Sequence, residues 1–190
     1  MKLLEDKILS DGKILEGDVL KVDHFLNHQI DVLLLDELGQ ELSRRFLDAG
    51  VTKVLTIEAS GIAVACLVAR QLRVPMLFAK KMKHGAAQEH LLSCSVEASA
   101  GKHPYDVVVS REYLRAEDKV LVIDDFLAKG DALRALIGLI EQSGAELVGC
   151  GIVIERAFQG GGDDLRAKGV RIESLAKIAS MSVAEGITFC

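Results

Sequence analysis

The stretch that decides the fold is VLVIDDFLAKGDAL, Val120 to Leu133. Val120, Leu121, Val122 and Ile123 form an unbroken apolar run, mostly β-branched, which predicts a strand buried on both faces of a parallel sheet. Asp124 and Asp125 close that run. Side chains alternate along a strand, so the two carboxylates cannot both point back into the core, and at least one is expected to face an opening. Phe126 to Asp131 then predicts a turn containing Gly130. After it, Ala132, Leu133, Leu136, Ile137 and Ile140 recur at helical spacing up to a Ser143-Gly144 stop. A strand, an acidic pair, a glycine-containing loop and a helix start suit a phosphorylated sugar. Loop N–H groups and the positive end of the helix dipole favour a phosphate, and the carboxylates favour hydroxyls, a metal ion or developing positive charge.

On either side of this stretch the pattern is one of alternating strands and helices. Val51–Ile57 reads as a strand, Gly61–Leu72 as a helix, and Val74–Ala79 as a strand entered through Pro75. Glu146–Ile154 is another buried strand, followed by a short helix over Asp163–Lys168 and a strand over Val170–Leu175. Such βαβ repetition implies a mostly parallel sheet whose ligands bind beyond the C-terminal strand ends. Glu58-Ala59-Ser60-Gly61 puts a second small-residue turn on that rim, open to two readings, a helix N-cap by Ser60 or an anion loop. Upstream, Leu4, Ile8 and Leu9 predict a short helix, Gly17 to Asp31 a small lobe of strand and loop, and Leu35, Leu38, Leu42 and Phe46 a helix ending at Gly50.

Residues 80–102 break the alternation. Lys80, Lys81, Lys83 and His84 form a basic run, either a solvated face or a cluster for an anion. His90–Val96 and Tyr105–Ser110 are expected to pair around a turn over Glu97–Pro104. An excursion of this length between core strands predicts a lid.

Composition bounds the function. A chain of 190 residues, 49% hydrophobic and 27% charged, is long enough for one domain with a sizeable core and is not of disordered type. No apolar run approaches the roughly 20 residues of a membrane span, and Glu5-Asp6 turns acidic too early for a signal peptide, so a cytoplasmic protein is expected. Cys66, Cys94, Cys150 and Cys190 are scattered without a CxxC pair, which argues against disulfides and zinc. The net charge of −5 argues against nonspecific nucleic-acid binding. The histidines at 24, 28, 84, 90 and 103 form no triad or metal spacing.

At Val120–Ala132 the sequence resembles the phosphoribosyltransferase family, whose fingerprint is an apolar run, two acidic residues and a small loop ending at a helix. The resemblance continues through Leu20–Asn27, Glu58–Ala63 and Ile154–Gln159 and covers nearly the whole chain. It implies an α/β fold of the type I phosphoribosyltransferase kind, a central mostly parallel sheet flanked by helices, with a small N-terminal hood and a flexible loop. Residues 1–190 would be a single domain, with 1–34 contributing to the hood and 80–105 forming the lid. The activity implied is transfer of a ribosyl phosphate from phosphoribosyl pyrophosphate (PRPP) to xanthine, a step of purine salvage, with Mg²⁺ bound alongside PRPP or pyrophosphate. A homodimer is implied as well, with neither nucleic acid nor membrane as partner.

The same resemblance assigns residues. Asp124 and Asp125 would hold the ribose hydroxyls as the catalytic pair. Ala128, Lys129, Gly130, Asp131 and Ala132 would cradle the 5′-phosphate, and Ser60 and Gly61 the pyrophosphate. Lys81, with Lys80 beside it, would supply a cation in its own or a neighbouring subunit. Leu20, Asn27 and Arg156 would contact xanthine, and Phe158 would be a stacking partner or a buried aromatic. Three positions depart from the family pattern. Asp131 stands where a neutral residue is usual, and is expected to point outward or cap the next helix. Lys129 would offset it, and Arg156 replaces a lysine, which opens the order of xanthine, guanine and hypoxanthine. Ala128 sits where hypoxanthine and guanine enzymes tend to carry aspartate, so it has no proton to exchange with the base. Two other functions compete, a transferase preferring guanine, hypoxanthine or adenine, and a regulator that senses PRPP without turning it over. Nothing before Leu35 has the length or basic charge of a DNA-binding module.

Overall fold

The structure is a computed structural model and describes residues 1–17, 19–86, 88–97 and 103–190. Helix α1 (Lys2–Asp11) leads into a detached hairpin of β1 (Lys13–Leu15) and β2 (Val19–Lys21), a π-type turn at Asp23–Asn27 and helix α2 (Val32–Arg45). The i, i+4 pair Leu4 and Ile8 is fully buried, whereas Leu9, off that stripe, is exposed.

The alternating part follows as β3 (Lys53–Ile57), α3 (Gly61–Leu72), β4 (Met76–Lys83), β5 (Leu91–Val96), β6 (Tyr105–Ser110), β7 (Lys119–Leu127), α4 (Asp131–Ser143), β8 (Glu146–Arg156), α5 (Gly161–Ala167), β9 (Ile172–Ser182) and β10 (Gly186–Phe189). They build one eight-stranded sheet in the order β10-β9-β8-β7-β3-β4-β6-β5. The five strands from β9 to β4 are parallel, and β10, β6 and β5 are antiparallel additions at the two edges. The apolar run of β7 sits in the middle and alternates as a two-sided strand must. Leu121 and Ile123 pack with Val64, Ala65 and Val68 of α3, while Val120 and Val122 pack with Leu136, Leu139 and Ile140 of α4.

Several elements differ from the sequence reading, each for a physical reason. β7 does not stop at Ile123 but runs on through both aspartates to Leu127, because pairing with β8 continues to Glu155. β4 likewise continues through Lys80, Lys81 and Lys83, each satisfied in the ladder by β6, so the basic run is strand. β9 extends past Leu175 to Ser182 and turns into β10. That edge hairpin is polar on one face, and its short apolar content hid it. Within the expected lid segment 80–105, residues 80–83, 91–96 and 105 belong to β4, β5 and β6, the other described residues are turn or irregular, and residues 98–102 of the expected turn lie outside the described residues. Asp106, nearly fully buried, ties this extension together. It accepts from the Ser95 hydroxyl (2.8 Å) and the Gly85 N–H (2.8 Å) and pairs with His84 Nδ1 (2.9 Å).

The C-terminal end of β8 carries a second buried carboxylate, Glu155. Arg166 of α5 grips it with two hydrogen bonds of 2.7 and 2.6 Å, the Ser174 hydroxyl donates to it, and Lys177 lies 3.8 Å away. Burial alone would raise the Glu155 carboxyl. The hydrogen bonds from Arg166 and Ser174, with the charges of Arg166 and Lys177, outweigh burial and hold it below its ordinary value. Removing that charge leaves Arg166 without its partner, so Glu155→Gln should lower stability by about 3 kcal/mol and Tm by about 6–12 °C. Because the folded carboxyl titrates lower than the unfolded one, the contribution is full above the ordinary glutamate value of 4.5 and is lost as pH falls below it. Urea unfolding of both proteins at pH 7 and pH 3.5 checks this, since the gap must narrow at the lower pH.

Candidate active site

Chain direction places the site. From β3 the chain moves to β4 on one side, and from β7 it moves to β8 on the other, although β3 and β7 are neighbours. The crossover helices α3 and α4 therefore cover opposite faces, and a crevice opens beyond the C-terminal ends of these two strands. Two loops meet there, Glu58–Ser60 after β3 and Ala128–Gly130 after β7.

A side-chain hydrogen bond joins the first of them to β7. The Ser60 hydroxyl donates to Asp125 Oδ1 at 2.9 Å. Ser60 starts α3 in helical backbone conformation and makes no side-chain cap, so the capping reading gives way to a link with the acidic pair. Glu58, whose peptide bond to Ala59 is cis, accepts the Lys81 N–H at 2.7 Å and so fixes the first loop to β4. Gly61 has no room for a side chain. A Cβ there would overlap the buried Thr56 hydroxyl and lie 3.1 Å from Asp124 Oδ1.

Asp124 and Asp125 are each only 5% exposed. The Asp125 N–H donates to Asp124 Oδ1 at 3.0 Å, which brings the first carboxylate round toward the second. Burial, then the adjacent Asp125 charge, pushes the Asp124 carboxyl well above its ordinary value, and the charge of Lys81 pulls it partly back. Among the described residues, these two close carboxylates in a dry setting form no ion pair. They are suited to sugar hydroxyls, to a cation, or to positive charge that develops during a reaction.

Asp124 also lines a cleft of about 470 Å³, with Phe126, the loop from Ala128 to Ala132, Arg156, Gln159 and Gly17 at the tip of the β1–β2 hairpin. Gly130 takes φ +86°, a conformation that side chains avoid. Behind the loop, Gly161 touches Ala128 and Lys129 so closely that a Cβ would overlap their backbone. The Glu155–Arg166 pair holds α5, and α5 backs the loop. Asp131 is the first residue of α4 and is exposed, as expected for an outward orientation, and it caps nothing. Its carboxylate accepts from Arg134 Nη1 at 3.2 Å, and the same guanidinium holds the Lys129 carbonyl at 2.7 Å. Arg134 was not singled out from the sequence, although its i, i+3 spacing from Asp131 is the signal that could have found it.

The base-contact residues inferred from resemblance divide. Arg156 lines the cleft, its guanidinium 5.0 Å from the centre of the Phe126 ring. Leu20 is buried in the core beside Leu4, Val22 and Phe25, and Asn27 is exposed at the end of its helical turn; neither lines the cleft. Phe158 is 39% exposed and lies outside the cleft, so the aromatic at the site is Phe126. Lys81 is exposed, with its ammonium 5.8 Å from the centre of the Tyr105 ring. Among the described residues no group of three His, Cys, Asp or Glu side chains could form a metal cage.

Comparison with known proteins decides what kind of site this is. A family model described as a phosphoribosyl transferase domain matches residues 21–182. The chain belongs to the phosphoribosyltransferase family. Curated relatives from Bacillus cytotoxicus and Bacillus mycoides, both called xanthine phosphoribosyltransferase, are each 50% identical over 181 residues, covering 95% of this chain and 92% of theirs. Among solved structures, adenine phosphoribosyltransferase from Thermoanaerobacter pseudethanolicus superposes with a TM-score of 0.73 at 20% identity, covering 92% of this chain and 99% of that one. The enzyme from Rhodothermus marinus gives 0.72 at 22% identity, covering 93% and 99%. These two share the fold of the type I phosphoribosyltransferases.

Two expectations follow for this phosphoribosyltransferase. Asp124 titrates higher folded than unfolded, so its ionisation weakens the fold as pH rises above the ordinary 3.8. Asp124→Asn should then raise the stability of the ligand-free protein at pH 7 by about 1 kcal/mol, or about 2–4 °C in Tm, and the gain should vanish below pH 3.8. Thermal melts across pH measure it. Gly161→Ala should displace the loop that Gly161 supports and weaken PRPP binding by about tenfold or more, read by titration calorimetry, with a smaller effect on Tm than Glu155→Gln.

Proposed function

We propose that this phosphoribosyltransferase converts xanthine and PRPP to xanthosine 5′-monophosphate and pyrophosphate, as a pentosyltransferase of purine salvage. The observation that carries the reading is the convergence, in one cleft, of Asp124 from the acidic pair of β7, the loop from Ala128 to Ala132 and the Arg156–Phe126 pair. The relatives' name supports the choice of base.

In such a transfer the anomeric carbon loses pyrophosphate as a purine nitrogen approaches. Positive charge develops on the ribose ring and negative charge on the leaving group. Asp124 and Asp125 would hold the ribose hydroxyls and stabilise the ring charge from a setting already organised by Ser60. The 5′-phosphate would sit on the N–H groups of Ala128, Lys129, Gly130, Asp131 and Ala132 at the start of α4. Arg134 engages the carboxylate of Asp131 and so limits its repulsion of that phosphate. Pyrophosphate would take the loop at Ser60 and Gly61, with Lys81 as its cation. The uncompensated carboxylates fit hydrated Mg²⁺ arriving on PRPP. The ion would be held largely by substrate oxygens and water, and when bound it would neutralise charge on the leaving pyrophosphate.

Arg156 would donate to the carbonyls of xanthine, with Phe126 holding the guanidinium plane; Leu20 and Asn27 would reach the base only if the hood rearranged around it. Ala128 offers no acid or base, so the base would bind partly ionised. Xanthine, the most acidic common oxopurine, suits that route, and a cationic Arg156 favours it. The chain as one domain, residues 1–34 as a hood, residues 80–105 as a lid, a homodimer and a cytoplasmic location belong to the same proposal. No helix among the described residues is long and apolar enough to cross a membrane.

A base panel tests the reading. Purified protein with PRPP and Mg²⁺ should release pyrophosphate with xanthine at a kcat/KM at least about tenfold above guanine, hypoxanthine and adenine, the worth of one charge-assisted hydrogen bond. Guanine ahead of xanthine by that factor would overturn the choice of base. PRPP binding without pyrophosphate release for any base would favour a sensor. Asp124→Asn and Asp125→Asn should each lose about 100-fold in kcat while remaining folded.

A further inference from the structure

We propose that Tyr105 is a positioning residue of the transfer reaction: its ring seats the Lys81 ammonium at the rim of the site, where that cation meets the departing pyrophosphate. The proposal rests on the role given above to Lys81.

The register of the sheet brings the two together. Tyr105 opens β6 directly opposite Lys83 of β4, and Lys81 lies two residues back on the same face, diagonally across from the tyrosine. That is the face covered by α4. Ala79, Val107 and Val122 share it, and half-buried Tyr105 packs against their cluster. Asp124 follows Val122 by two residues on β7 and so shares that face with Lys81 and Tyr105. The Lys81 backbone is pinned by the Glu58 carboxylate at 2.7 Å, while its ammonium lies 5.8 Å from the Tyr105 ring centre, within the range of a cation–π contact.

An exposed lysine is a flexible four-carbon stem carrying a point charge. Within the electrostatic reach of the buried Asp124 it has an obvious competing position, collapsed toward the acidic pair. The negative face of the tyrosine ring offers a second, softer seat. It holds the cation short of the acidic pair and leaves the carboxylates open to ribose. Burial, followed by the fields of Asp131 and Asp124, pushes the Tyr105 phenol above its usual range, so the ring stays uncharged at neutral pH and attracts Lys81 through its face.

The closing experiment is a double-mutant cycle read by pyrophosphate release with xanthine as PRPP is varied. Tyr105→Leu should lose about two- to fivefold in kcat/KM for PRPP, the worth of an exposed cation–π contact, with KM for xanthine unmoved. Tyr105→Phe, which keeps the ring, should recover that loss. In a Lys81→Met background, Tyr105→Leu should cost nothing further. Tyr105→Met serves the same cycle if the leucine variant fails to fold. Additive losses, no recovery by phenylalanine, or a wild-type rate in Tyr105→Leu would each overturn the proposal. A wild-type protein that releases no pyrophosphate with xanthine would instead overturn the reading on which it rests.

Discussion

Two carboxylates buried side by side at the end of a central strand set the terms for the rest of this molecule. A buried charge without a partner is costly, and a second one beside it costs more. Asp124 and Asp125 are both almost fully buried, and the groups that answer them come from other elements, the Ser60 hydroxyl from the start of α3 and the charge of Lys81 from β4. Neither fully compensates the pair. The fold therefore holds unrelieved electrostatic energy at one place, and a ligand presenting hydroxyls or positive charge relieves it. A site of this kind trades stability of the empty protein for readiness toward substrate.

The Ala128–Ala132 loop shows the converse arrangement, in which the cost is met by the scaffold. Its backbone makes a left-handed turn at Gly130 and runs against Gly161, where only hydrogen fits between the chains. That packing depends on where α5 lies, and α5 is held by Arg166 on the buried Glu155. Two of the buried acids of the rim thus have opposite roles. Glu155, fully paired, is held below its ordinary value and stabilises; Asp124, short of positive partners, is raised above it and is free to act. Burial works in the same direction on both, so the number and charge of hydrogen-bond donors decides.

How far the sequence revealed this varies with the physics of each element. The β7 run and α3 were legible because uninterrupted β-branched residues and helical periodicity report two-sided burial directly. The acidic pair and the Ala128–Ala132 loop were legible because a strand followed by a glycine turn and a helix leaves few alternatives. The edge strand β10 and the strand character of the basic run were not. Edge and antiparallel strands face water on one side, and their letters look like loop. Long-range contacts were also hidden: Ser60 with Asp125 spans 65 residues and Glu58 with Lys81 spans 23. Phe126 took the cleft position expected of Phe158 because β7 continues two residues past the acidic pair, a pairing decided by β8.

Charges around the Ala128–Ala132 loop also balance one another. Asp131 adds negative charge at the start of α4, and Arg134, one helical turn on, binds that carboxylate while also holding the Lys129 carbonyl of the preceding loop. Arg156 puts a delocalised cation over Phe126 on the other wall of the cleft. Lys129 and Arg156 therefore line the cleft as cations, together with the carboxyl of Asp124. A molecule with anionic ends and a centre that becomes positive during reaction matches that distribution better in the transition state than in the ground state, because the central charge exists only then. Evenly cationic walls would bind the same anionic ends as tightly and would oppose the charge that must form between them. In the proposed reaction the buried acidic pair would be the part of the site that turns binding of a phosphorylated sugar into a reason for its bond to break.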